Sequence, residues 1–128
     1  MPELFVDYRW FLERQEEILR RDLTVNDLSI LVGMAQRHRV NTPRLDQADP
    51  DAFWRAATFL EEIVLLRPLP ARNEVFAYGV AIAYLEASGE QVDQKFELWR
   101  DLINDIRALR LDSFTIAEQL RSLRLPAV

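Results

Sequence analysis

Residues Leu65 to Gly89 read LLRPLPARNEVFAYGVAIAYLEASG, and this stretch decides the fold. A polar loop, RPLPARN from Arg67 to Asn73, holds two prolines and two arginines, and the run from Val75 to Leu85 carries no charge. A helix that is apolar on every side belongs at the centre of a domain, and this run is far shorter than the roughly 18 residues of a membrane span. Gly89, just past Ser88, supplies a C-terminal stop, so the central helix is expected over about residues 71–88. Its N-terminus would be ringed by neighbouring elements, with unsatisfied backbone N–H groups aimed outward from a concave junction, and such a junction suits an anion.

Composition fits one compact helical unit. The 128 residues match one domain on the usual scale of about 100 to 200 residues. Hydrophobic residues make up 49% of the chain and there are only three glycines, which argues for an ordered, helix-rich protein. The chain has no cysteine, so disulfides, thiolate metal sites and a cysteine nucleophile are excluded. With no secretory leader in view, a cytoplasmic location is expected. A net charge of −5 argues against non-specific binding to nucleic-acid phosphates, and no apolar run suits a membrane.

Outward from the centre, the same periodicity recurs. In Pro2–Asp22 the residues Leu4, Phe5, Tyr8, Phe11, Leu12, Ile18 and Leu19 share one side at 100° per residue and are expected to face the core. Val6 and Trp10 project from the other side, among Glu13, Arg14 and Glu17, as either surface residues or a partner-binding anchor. In LTVNDLSILVGMAQRHRV, Thr24 with Asp27 forms a capping-box variant for a helix to about Arg39, buried through Leu28, Leu31, Val32 and Ala35. Residues 40–49 form a polar loop. A third helix begins with Asp49 as cap and Pro50 at the first position, with Phe53, Ala56, Ala57, Leu60, Val64 and Leu65 or Ile63 inward. A fifth segment turns Phe96, Trp99, Leu102, Ile103 and Ile106 inward, and a last short helix starts at Ser113 or Thr115. The expectation is all-α, five to six helices, with no strand.

Conventional catalytic patterns are lacking. His38, the only histidine, lies between two arginines in QRHRV, which oppose its protonation, so it is expected to be a solvated residue at a helix end. The pairs Glu16–Glu17 and Glu61–Glu62 point to different sides of their helices and are expected to be solvated.

The loop and its flanks resemble the Fic/Doc family. That family carries H-P-F-x-[DE]-[GA]-N-[GK]-R on the loop entering a central buried helix, and the matching residues here run Arg67-Pro68-Leu69-Pro70-Ala71-Arg72-Asn73-Glu74-Val75, followed without a gap by FAYGVAIAYLEASG. DPDAFWRAATFLEEIVLL resembles the helix that leads into the motif, LTVNDL the opening helix and SFTIAEQLRSL the closing helix of Doc-like toxins. The resemblance runs from about residue 23 to 125. It divides the chain into an N-terminal helix at 1–22, as an addition, and a Fic/Doc-like domain at 23–128.

In active relatives the motif histidine is the base, the acidic residue holds Mg²⁺ and the basic turn binds nucleotide phosphates. Here Arg67 replaces the histidine and cannot accept a proton, and Ala71 replaces the acid and offers no metal ligand. Glu74 and Val75 replace the phosphate-binding positions, leaving Asn73 and Pro68 from the motif. The leading reading is therefore a catalytically silent domain, with no metal or cofactor, that binds a protein partner or regulates one, as in toxin–antitoxin systems. A homo-oligomer is left open, as is the groove that Doc-type toxins present to a partner peptide. In the alternative, Arg67, Arg72 and Asn73 bind a nucleotide or other anion without metal, with or without residual transfer activity. In the third, the chain is an unrelated helical interaction protein whose prolines merely end one helix and start the next.

Overall fold

A computed structural model describes residues 4–40 and 51–126. Six helices follow in order: α1 (Tyr8–Leu19), α2 (Leu28–Val40), α3 (Ala52–Leu66), α4 (Asn73–Ala87), α5 (Phe96–Arg107) and α6 (Ser113–Ser122). Among the described residues the only strand-like feature is an antiparallel bridge between Val92 and Arg124, closed by Asp93 N–H to the Leu123 carbonyl and Leu125 N–H to the Gln91 carbonyl, each 2.8 Å. The fold is all-α.

Carboxylate caps set several helix starts. Asp7 accepts from Arg9 and Trp10 N–H, so α1 begins at Tyr8 instead of Pro2, and residues 4–7 are not helical. Asp51 accepts from Trp54 N–H at 2.8 Å and caps α3; the expected cap Asp49 and first residue Pro50 lie outside the described residues, as do residues 41–49 of the expected loop. Asp112 caps α6 through Thr115 N–H. α2 starts four residues beyond Thr24. The N–H groups of Asn26 and Asp27 instead bond the Pro68 carbonyl, at 2.8 and 3.2 Å, which fastens the α1–α2 connection to the turn before α4. α4 ends as expected, with Gly89 in the left-handed region at φ 85°.

The apolar run does lie inside the bundle, but it shares the centre with α3. Helix α3 packs on α2, α4, α5 and α6, and α4 packs on α3 and α1. Edge-to-face rings join them: Phe11 on Phe59 at 5.1 Å and Phe59 on Tyr84 at 5.2 Å, so α1, α3 and α4 meet in one aromatic cluster. Helix α1 approaches α4 so closely at Gly79 that a Cβ there would stand 2.4 Å from Ile18 Cδ1.

Val6 and Trp10 are core residues and not a partner face. Their exposures are 1% and 9%, while Phe5, expected inside, is 67% exposed. Two causes act. Non-helical backbone before Tyr8 removes Leu4–Val6 from the helical phase, and α1 is covered by both α2 and α4, which buries an arc wider than one stripe. Gln15 is buried as well, donating to the carbonyls of Asp22 and Thr24. Elsewhere Leu28 and Phe96 are exposed where burial was expected, Ile63 and not Leu65 turns inward on α3, and Met34, Phe59 and Trp54 fill the interior.

Asp51 also joins α3 to α6 through two bonds from Arg121, each 3.0 Å. Burial pushes its carboxyl upward, but the Arg121 hydrogen bonds, the Trp54 N–H and the charges of Arg121 and Arg124 outweigh burial, so it lies below its ordinary value. A carboxyl depressed by folding adds stability that is complete above its unfolded value and is lost as pH falls through its folded one. The melting temperature is therefore expected to fall as pH drops below about 4. Asp51→Asn should lower it at pH 7 and shrink the difference between pH 7 and pH 3, as read by circular-dichroism melts.

Candidate functional site

The turn between α3 and α4 consists of residues that each have a defined task. Arg67 caps α3 in the left-handed conformation at φ 51°, its N–H bonded to the Ile63 carbonyl, which reverses the chain before Pro68. Pro68 is buried and presents its carbonyl to Asn26 and Asp27, and Leu69 is driven into the core. Pro70 and Ala71 are exposed. Arg72 is exposed in a second left-handed conformation, φ 62°, and its carbonyl accepts from Phe76 N–H to begin α4.

Asn73 does not face an anion site. It is 0% exposed, and its amide closes on the backbone of Leu69 from both sides: Oδ1 accepts from the Leu69 N–H and Nδ2 donates to the Leu69 carbonyl, each at 2.9 Å. The side chain completes the hydrogen bonding of a buried loop residue, and both ends of the amide are thereby used. Its proposed part in anion binding is thus corrected.

Glu74 stands in the first turn of α4, where a carboxylate suits the helix dipole. Arg67 Nη1 is 2.6 Å from Glu74 Oε1, and Arg107 Nη1, from the last turn of α5, is 3.6 Å from the same oxygen. Burial pushes the Glu74 carboxyl upward, but the Arg67 hydrogen bond, the Glu74 N–H and the charges of Arg67 and Arg107 hold it below its ordinary value. Glu74 is therefore anionic at neutral pH and sits where an incoming phosphate would have to displace it. Val75 is half-buried and packs against the core. Of the three residues proposed to bind an anion, Arg72 stands exposed, Arg67 is ion-paired and Asn73 is internal.

Arg107 was not among the residues picked from the sequence. It lies on another helix, and only the packing of α5 beside α3 brings it to Glu74. His38 likewise departs from expectation. It is 4% exposed, its Nε2 is 2.7 Å from the Tyr84 hydroxyl, its ring stacks on Phe59, and its carbonyl accepts from the Arg55 guanidinium. The two arginines beside it point elsewhere because successive residues diverge by 100° around the helix. Glu61 and Glu62 are half-buried, bonded to Ser113 and Arg37 respectively, whereas Glu16 and Glu17 are exposed as expected.

Among the described residues no group of three or more His, Asp or Glu side chains could hold a metal, and no helix is long and apolar enough to cross a membrane. No protein-family model matches the chain, and no curated protein is significantly similar to it in sequence.

Proposed function

We propose that this chain is a catalytically silent Fic/Doc-like domain that acts as a cytoplasmic protein-binding or regulatory module, of the kind that operates in toxin–antitoxin systems. The observation that carries this reading is the closure of the turn before α4 on itself: Glu74 is held by Arg67 and Arg107, and the amide of Asn73 is spent on Leu69. Arg67 and Asn73 are engaged within the turn while Arg72 stands exposed, and an anionic carboxylate repels polyphosphate at the head of the helix. Val6 and Trp10 no longer offer a docking face, so the surface must be sought elsewhere.

A thermal-shift titration with ATP and GTP, with and without Mg²⁺, tests the silence of the turn. No rise in melting temperature is expected at millimolar nucleotide, for the wild type or for Arg72→Ala. A rise that vanishes in Arg72→Ala would instead establish metal-independent nucleotide binding at residues 67–75 and overturn the proposal.

A further inference from the structure

Building on the protein-binding reading, we infer that the end of the bundle formed by the α3 C-terminus, the turn before α4 and the α5 C-terminus docks an acidic, leucine-bearing segment of a partner protein. The contacts of Glu74 with both Arg67 and Arg107 bring these three pieces of chain to one place. Arg72 lies in the same turn, and Arg110 follows three residues after Arg107, pairing with Asp105. Four guanidiniums therefore stand against the two carboxylates paired with them, in a chain whose net charge is −5. Asp27, whose N–H reaches Pro68, turns its own carboxylate to the N–H and hydroxyl of Ser29.

Exposed leucines accompany this charge. Leu66 adjoins Arg67 and is exposed, and Leu109, two residues beyond Arg107, is 74% exposed. Leu109 also has φ 59°, so a large apolar side chain is held outward by a backbone conformation that favours glycine. Arg67 and Arg72 share that conformation, so three of the four left-handed non-glycine residues described lie at this one end. Guanidiniums beside aliphatic side chains match a peptide that presents carboxylates and leucines. The exposed apolar residues at this end are aliphatic, whereas single-stranded nucleic acid is gripped by aromatic rings that stack on bases.

The probe is a fluorescent synthetic peptide of alternating Glu and Leu pairs, titrated with the full chain and read by polarisation. Saturable binding is expected, weakened about fivefold or more by Arg72→Glu and again by high salt. Leu109→Gly should weaken binding by about as much while leaving the melting temperature unchanged or higher, because glycine relieves the left-handed backbone. A merely structural leucine would not separate the two readouts in this way. No saturation at millimolar peptide, or affinity that the variants leave untouched, would overturn the inference. It would equally be overturned if a single-stranded oligonucleotide bound as tightly with the same variant dependence. Self-association abolished by Arg72→Glu would assign the surface to a second copy and also reject it. The nucleotide titration separates this failure from that of the silent-domain reading: lost peptide binding without any nucleotide shift rejects the docking surface alone.

Discussion

Replacing Asn73 by alanine is expected to destabilise the protein by about 2–4 kcal/mol, because it strands both polar groups of a buried backbone unit. The amide satisfies the Leu69 N–H and carbonyl together, each at 2.9 Å, and Leu69 itself is buried, so water cannot substitute without opening the turn. Asn73→Asp is a second probe. A carboxylate keeps an acceptor for the Leu69 N–H but faces the Leu69 carbonyl with a second acceptor, so this isosteric change should also destabilise. Urea unfolding reads both: the midpoint falls while the slope stays constant if the denatured state is unaltered. Arg72→Ala, one residue earlier and exposed, should stay within about 0.5 kcal/mol of wild type. If Asn73→Ala proved as mild as Arg72→Ala, the turn would not be held by this amide, and Asn73 would be available to a ligand after all.

Asn73 also shows what a sequence can and cannot convey. Its residue type and place before an apolar helix marked it as polar and important, but an asparagine that grips a loop and one that grips a phosphate look alike until the loop's path is known. Local rules were readable where the deciding partner lay within a few residues: Gly89 stopping α4, α6 starting at Ser113, and the inward face of Trp99, Leu102, Ile103 and Ile106. Distant partners decided the remainder. Arg107 reaches Glu74 only because α5 packs beside α3, and His38 is buried only because the last turn of α2 meets Phe59 of α3 and Tyr84 of α4. Periodicity failed in α1 for a different reason: a single aspartate cap at Asp7 shifted the start of the helix and with it the phase of every residue before it.

The wide buried arc of α1, covered by both α2 and α4, makes Trp10 a residue whose truncation should cost much. Trp10→Ala is expected to remove about 3–5 kcal/mol, the usual range for deleting a buried tryptophan, which for a domain of this size lowers the melting temperature by about 10 °C or more. The indole meets Phe11 at 5.3 Å and Tyr84 at 6.1 Å in edge-on contacts, with Phe59 tilted at 6.4 Å and the Arg14 guanidinium 5.0 Å above the ring. Its loss would leave a cavity shared by α1, α3 and α4, at the aromatic cluster that joins the first helix to the central pair. Trp10→Phe keeps an aromatic ring in place and should recover a large part of the loss. Because Trp10 and Tyr84 touch, the effects of Trp10→Ala and Tyr84→Phe should not add, whereas Trp10→Ala and Leu109→Gly, at separate places in the fold, should. A Trp10→Ala protein that melts like the wild type would mean that the indole packs on nothing, and would return this side of α1 to the surface as a candidate for partner binding.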